Sequence, residues 1–226
     1  LNWDFIQENI PLYQEAFLLT IRLAFLGILG SLVIGSLISL IRYFKIPLIS
    51  KVAGAYIELS RNTPLLIQLF FLYFGLPKIG LTLSSEACAI IGLIFLGGSY
   101  MAESFRSGME AISLGQKESA TALGLKSWQV FVYIIWPQAL AISLPSISAN
   151  VIFLIKETSV FSIVALADLM YVAKELIGIY YETDEALLML VVSYLIILLP
   201  LSIILSLIER RLRYAGFGST SSLSGK

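Results

Sequence analysis

The side chains that could do chemistry are few, and their kinds limit what that chemistry is. The chain has 226 residues, 15 Lys or Arg, 15 Asp or Glu, one cysteine and no histidine. Without histidine there is no imidazole base, no Ser-His-Asp triad and no imidazole metal ligand. Cys88 stands alone in an apolar run, so no intrachain disulfide can form, and it reads as a small packing residue rather than a redox centre. A serine–lysine hydrolase built on Lys156 would need a paired nucleophile, which the sequence does not offer. No Gly-x-x-x-x-Gly-Lys-Ser/Thr loop is present, so nothing in the chain is built to cradle nucleotide phosphates. We therefore assign no catalytic residue and no metal ligand.

What remains is a set of ionisable groups inside or beside apolar runs: Arg22, Glu58, Arg61, Glu103, Lys156 and Glu157. Charge in hydrocarbon is expensive, so each is a functional hypothesis by default. Arg22 lies near the end of its run and is expected to snorkel. Glu58 and Arg61 are three apart and are expected to pair on one helix face, with substrate contact the alternative. Glu103 is expected to anchor against Arg106, three residues on. Lys156, Glu157, Thr158 and Ser159 set a cation, a carboxylate and two hydroxyls side by side, a group that could contact a charged or polar solute. Interfacial anchoring is the competing reading of that cluster.

The elements that must hold these groups follow from composition. Hydrophobic residues make up 58% and charged residues 13% of the chain, about half the charged share of a soluble domain, and the mean hydropathy is +0.89. Such a chain cannot clothe a globule in polar surface, so the fold class is all-α, a polytopic membrane protein of about five spans. The expected spans are 17–41, 52–76, 87–105, 130–155 and 186–208, and the second is the least regular because only Leu65 to Leu76 is strongly apolar. The acidic start does not read as a signal peptide, and the missing initiator Met suggests trimming or disordered residues at the front. Residues 1–215 are expected to form one transmembrane domain, and the Gly/Ser-rich 216–226 a flexible tail. One or two short helices are expected between Ser159 and Glu185.

Charge orients these spans. Arg42, Lys45 and Lys51 follow the first, Arg106, Lys117 and Lys126 the third, and Arg210, Arg211, Arg213 and Lys226 the fifth. The alternate loops are acidic, from Asp4 to Glu15, at Glu86, and from Asp168 to Glu185. By the Lys/Arg bias the N-terminus lies outside and the C-terminus inside. Zero formal net charge argues against a nucleic-acid surface. Gly27, Ser31, Gly35 and Ser39 recur every fourth residue in the first span, a smooth stripe for close backbone approach. Intrachain packing is its simplest use and a subunit interface the alternative.

The loop 110–137 is the most informative. Gln116 to Leu123 is rich in helix formers, Gly124 stands where a left-handed residue would end that helix, and Ser127 is placed to cap a second one from Trp128. The expected product is a helix–turn–helix knob, charged on one side with Ala120, Leu123 and Leu125 on the other. Glu118-Ser119-Ala120, three residues, Gly124, nine residues, Ile134, one residue and Trp136-Pro137 resembles the EAA loop of bacterial ABC importer permeases. Ser119 and Trp136 depart from the Ala and Leu of that pattern, but the spacing holds throughout. Tyr56 to Phe70, Asn150 to Val160, Tyr100 to Arg106 and Gly115-Gln116 resemble the polar amino acid branch, and the likeness extends over roughly Tyr13 to Tyr214. That branch usually has Gly where Asn62 stands; Asn tolerates unusual backbone angles, so the turn is expected to survive.

The resemblance implies an alternating-access importer subunit in the bacterial cytoplasmic membrane. Its partners would be a second permease copy or relative, two ATP-binding-cassette ATPases and an extracytoplasmic substrate-binding protein. The chain itself would carry no cofactor; ATP and magnesium would sit on the ATPases. Coupling would fall to Glu118, Ser119, Ala120, Gly124, Ile134 and Pro137, and the substrate pathway to Arg61, Asn62, Thr63, Gln68, Asn150, Glu157, Thr158 and Ser159. A stand-alone secondary transporter or channel is the alternative; it predicts internal repeats and midplane ion-binding carboxylates, and no convincing repeat is found.

Overall fold

The computed structural model describes residues 1–212, all of it helix, turn and connection; the tail expected over 216–226, with Arg213 and Lys226, lies outside the described residues. Four helices are long and apolar enough to cross a bilayer: Trp3–Tyr43, Ser85–Glu110, Ser127–Val164 and Thr183–Leu212, with a shorter apolar helix at Leu65–Ile79. The first, α1 (Trp3–Tyr43), runs 41 residues, roughly 60 Å at 1.5 Å per residue, about twice the hydrocarbon thickness. Its span therefore occupies only part of it. The first turns, including Phe5, Tyr13 and Ala16, pack against the short helix α8 (Leu169–Tyr180) and the start of α9 (Thr183–Leu212). There the Tyr13 hydroxyl donates to the Ala186 carbonyl at 2.7 Å and the Asn2 N–H donates to Glu185 at 2.7 Å.

The expected second span is not one helix. α2 (Ile49–Arg61) stops at Asn62, and α3 (Leu65–Phe70) starts after Pro64 and continues through a π turn (Phe71–Gly75) and a 3-10 turn (Leu76–Ile79). Pro64 cannot donate an amide hydrogen and holds the preceding residue extended, so a continuous helix cannot pass through it. Asn62 has φ −94°, ψ 4°, so the turn needs no left-handed residue and the Gly-to-Asn exchange is harmless for an ordinary reason. The fourth span begins earlier than expected, as α6 (Ser127–Val130), a π turn (Phe131–Ile135), α7 (Trp136–Glu157) and a 3-10 turn (Thr158–Val164). The short helices expected between Ser159 and Glu185 are that 3-10 turn and α8.

α4 (Ser85–Glu110) is the axis. Gly27, Ser31, Gly35 and Ser39 of α1 are all buried, and the stripe packs within the chain. A Cβ on Gly35 would collide with the Met101 Cβ and come within 2.9 Å of the Ala102 backbone nitrogen. The Ser31 hydroxyl donates to the Gly27 and Leu93 carbonyls at 2.7 and 3.2 Å. On another side Gly108 sits 2.5 Å, measured to an added Cβ, from the Ala139 carbonyl of α7. α2 seats by Tyr56 and Ser60, whose hydroxyls both donate to the Phe95 carbonyl at 2.7 and 2.8 Å. Gly98 leaves the room that Tyr56 occupies.

Overpacking this seam should separate it. Gly35→Val is expected to destabilise the protein by about 1–3 kcal/mol, read as a lower melting temperature in detergent. Gly54→Ala, where nothing lies within 4 Å of an added Cβ, should melt no lower than the parent. Equal melting of Gly35→Val and the parent would show that the seam has slack.

Candidate functional site

Arg42, Arg106 and Lys117 lie together at one end of the bundle, and the knob stands there. α5 (Leu114–Ala122) turns away at Leu123, and Gly124 takes φ +85°, a left-handed conformation that costs a side-chain-bearing residue about 1–2 kcal/mol. The turn closes through Gly124 N–H to Thr121 O at 2.9 Å and Leu125 N–H to Ala120 O at 3.2 Å, which satisfies carbonyls that a helix end leaves free. α6 starts one residue before the expected place. Ser127 is its first residue, and the entry is held by the Gln129 side chain accepting from the Lys126 N–H at 2.8 Å.

Ala120 is buried with Met109, Ile112, Val130, Phe131, Ile135 and Ala139. Leu123 is not on that packed side; it is 82% exposed, because the turn at Gly124 carries it to the tip. Glu118, Ser119 and Gly124 are exposed and Ile134 half-buried. No atom lies within 4 Å of a Cβ added at Gly124. Pro137 enters α7 directly after the π turn Phe131–Ile135. The knob thus combines a packed root with an exposed, conformationally fixed tip carrying a leucine and a carboxylate.

A second polar group lies along α4, between α2 and α7. The Arg61 guanidinium lies over the Tyr100 ring, 5.1 Å from its centroid, a cation–π contact. Asn150 donates to the Ser104 hydroxyl at 2.8 Å and to the Tyr100 carbonyl at 3.3 Å, and Ser104 and Ser146 share a hydrogen bond of 2.7 Å. Arg61 and Asn150 are therefore both tied to Tyr100, a layer of one cation, one amide and three hydroxyls. The expected Glu58–Arg61 pair does not form: Arg61 reaches across to α4, and Glu58 instead accepts from the Asn62 amide at 3.3 Å. Asn62 and Thr63 also bond to the carbonyls of Glu58 and Leu59, at 2.7 and 2.8 Å. Gln68, buried, donates to the Ser60 and Thr63 carbonyls at 3.2 and 3.0 Å. These three side chains tie off the break between α2 and α3.

The remaining expected residues sit apart from this layer. Glu157 and Ser159 are half-buried at the acidic end of the fourth span, and among the described residues neither Lys156 nor Glu157 has an ion-pair partner. Thr158 is wholly buried, donating to the Ile155 carbonyl at 2.7 Å and lying 3.3 Å from the Tyr194 hydroxyl. Glu103 bonds to Arg106 as expected, through two nitrogens at 2.9 and 2.7 Å. Arg22 pairs with Glu86 rather than only snorkelling. Tyr100, Ser104 and Ser146 were not singled out from the sequence. The signal that could have found them is the spacing of Tyr100 with Ser104 and of Ser146 with Asn150, each a polar i, i+4 pair on one face of an apolar helix.

Described from the residues up, this is a helical membrane protein with a polar layer along α4 and an exposed helix–turn–helix knob at one end. The profile of the family described as binding-protein-dependent transport system inner membrane component matches residues 27–214. The chain is 36% identical over 214 residues to the glutamine transport system permease protein GlnP of Escherichia coli K12, covering 94% of this chain and 98% of that one. It is 31% identical over 212 residues to the probable glutamine ABC transporter permease protein GlnM of Bacillus subtilis, covering 94% and 98%. The crystal structure of an amino acid ABC transporter with histidines superposes with a TM-score of 0.87 at 31% identity, over 93% of this chain and 99% of that one. The inward-facing MetNI methionine ABC transporter superposes with a TM-score of 0.76 at 19% identity, over 89% and 96%, a likeness of fold alone. The chain belongs to the binding-protein-dependent inner membrane components: it is an amino-acid ABC permease, a multi-pass transport subunit of the cytoplasmic membrane and not an enzyme.

One buried acid lies outside the spans. Asp168 caps α8, accepting from the Tyr171 N–H at 3.0 Å, and its second oxygen has no partner among the described residues. Burial pushes its carboxyl from 3.8 up to about 7, against the opposing pull of the backbone bonds and Lys174. A carboxyl whose pKa is raised by folding holds its proton more tightly when folded, so stability is greatest below the unfolded value and falls as pH rises from about 4 through about 7. Asp168→Asn keeps an oxygen for the cap and removes the charge. Melting of the parent should therefore fall between about pH 5 and pH 8, and that of the variant should fall less; parallel slopes would remove Asp168 as the cause.

Proposed function

We propose that this permease imports a polar amino acid by alternating access, and that the α5–α6 knob couples it to a separate ATPase. In this reading one permease domain spans residues 1–215 and pairs with a second copy or a relative. Two ATPases carry ATP and magnesium and close on the two knobs, while a substrate-binding protein delivers from outside. The basic end then faces the cytoplasm and the acidic end faces outward. Glutamine, named for two of the relatives, is the first substrate to test.

The observation that supports coupling most directly is the exposed left-handed turn at Gly124. The left-handed turn at φ +85° favours glycine, and the open space around its Cβ position leaves the turn's backbone accessible to a partner. Glu118, six residues before it and also exposed, would steer docking more than hold it. Ser119, Ile134 and Pro137 shape the same root and tip. For the substrate, the Arg61–Tyr100–Asn150 layer offers a cation for a carboxylate and amide and hydroxyl groups for a polar side chain. Asn62, Thr63 and Gln68 hold Arg61 in place by closing the break. Glu157, with Ser159 and Thr158 beside it, would meet an incoming ammonium at the outer mouth.

Gly124→Asp should insert normally, since the residue lies outside the spans, and should lose ATPase co-purification or hydrolyse ATP without uptake. Normal association together with normal uptake would end the docking reading. Orientation is tested in a Cys88→Ser background: Asp184→Cys should react with an impermeant thiol reagent in intact cells, and Lys126→Cys only after the cytoplasmic face is opened. The reverse pattern would invert the topology. Arg61→Gln should raise the substrate concentration needed for half-maximal uptake about tenfold, with ATPase association unchanged, because a charge-assisted contact is lost. Unchanged uptake at all substrate concentrations would remove Arg61 from the pathway.

A further inference from the structure

We propose that Glu103 is a positioning residue that sets the angle of the knob by fastening the end of α1 to α4. The inference rests on the docking reading and adds a mechanical part to it. Each Glu103 oxygen is taken by a cation from a different element. One accepts from Arg42, in the last turn of α1, at 2.6 Å; the other accepts from Arg106 of α4 at 2.9 and 2.7 Å. Arg106 also donates to Glu110 at 2.6 Å, where α4 hands over to the knob. Among the described residues Arg42–Glu103 is the ion pair that crosses between helices at this end.

The residue after Arg42 is what this fastening places. The Tyr43 ring lies 5.0 Å from that of Phe131, whose side chain belongs to the same buried cluster as Ala120. The Lys117 ammonium of α5 sits 5.7 Å from the Tyr43 ring centroid. The end of α1 is thus a wall of the knob, and α1 is a rod held along its length against α4 by the glycine stripe. Movement of that rod reaches the knob through Tyr43, in a register that Glu103 fixes. Neutralising Glu103 leaves two guanidinium groups facing the same gap without the anion between them. Among the described residues Arg106 keeps Glu110 and Arg42 keeps no other carboxylate, and repulsion displaces the α1 end.

The test uses the whole complex, with ATPases and binding protein, in proteoliposomes, reading both ATPase association and substrate moved per ATP. Glu103→Gln is expected to keep association and lower substrate moved per ATP about tenfold. Arg42→Gln should give the same loss, and the double variant should be no worse than either, because both act through one contact. Tyr43→Leu keeps apolar packing, removes the seat of Lys117, and should lower the ratio with no change in melting temperature. The proposal is overturned if Glu103→Gln assembles and transports at the parent ratio, or if the Arg42 and Glu103 losses add. Should Glu103→Gln fail to assemble, Arg42→Gln and Tyr43→Leu decide by the same ratio, and parental values in both overturn it. Loss of association in Gly124→Asp is a separate result, so failure of the docking reading is distinguishable from failure of this one.

Discussion

The close backbone approach of α1 to α4 is the constraint on which the other positions depend. In hydrocarbon, apolar side chains gain nothing by leaving lipid for one another, so helix association rests on contact area, hydrogen bonds and close fit. Gly27, Ser31 and Gly35 meet Leu93, Gly97, Gly98 and Met101, and the Ser31 hydroxyl crosses the seam to a backbone carbonyl. With α1 on one side, α7 pressed in at Gly108 and α2 seated at Gly98, α4 is left with little freedom to rotate. Its polar residues are then presented in fixed directions: Tyr100 and Ser104 toward α2 and α7, and Glu103 toward the end of α1. Smoothness on one face is what gives direction to the groups on the others.

Proline supplies the second constraint, and in the same way twice. Phe71-Leu-Tyr-Phe-Gly-Leu-Pro77 and Phe131-Val-Tyr-Ile-Ile-Trp-Pro137 each begin with a five-residue π turn whose first carbonyl accepts from the residue just before proline. A proline ring clashes with the carbonyl four residues back and brings no amide hydrogen. Widening the preceding turn relieves the clash, which is how one-turn π bulges arise. At the second site the Gln138 side chain takes up the Ile134 carbonyl at 2.8 Å. The knob is therefore joined to its span through a turn that is not regular helix, and Pro137, itself exposed, shapes that turn.

Features written in local chemistry could be read before the fold was known. Gly124 was legible because few residues tolerate φ +85°, and Glu103 with Arg106 because three residues on a helix fixes their distance. The end of the knob was read correctly and its tip was not: Leu123 is apolar, and nothing in its type says that the turn lifts it out of the packed side. In the second span Asn62-Thr63-Pro64 reads as a helix start with proline at the first turn, and α3 does begin after Pro64, while hydropathy, which counts residues and not amide hydrogens, joins α2 and α3 into one expected span. Arg61 was assigned to Glu58 because the local partner is visible in sequence, while Tyr100 is thirty-nine residues away. Ser31 and its stripe left packing and interface open; only the positions of Leu93 and Met101 decide between them.

The break and the polar layer are two consequences of one arrangement. Unpaired backbone groups are tolerated at membrane depth only where side chains or a water-lined cavity satisfy them. Asn62, Thr63 and Gln68 satisfy the carbonyls at the end of α2, and their doing so frees Arg61 from any local partner. A cation with no carboxylate beside it would be costly in lipid, and the Tyr100 face offsets part of that cost without neutralising the charge. Arg61 is consequently held but not quenched, with the donors of Asn150 and the serines turned to the same helix. Arg61 thus keeps its charge at an exposed position beside Tyr100, which is the state that the proposed contact with an anion requires. A salt bridge to Glu58 in its place would have made the layer a permanent strut.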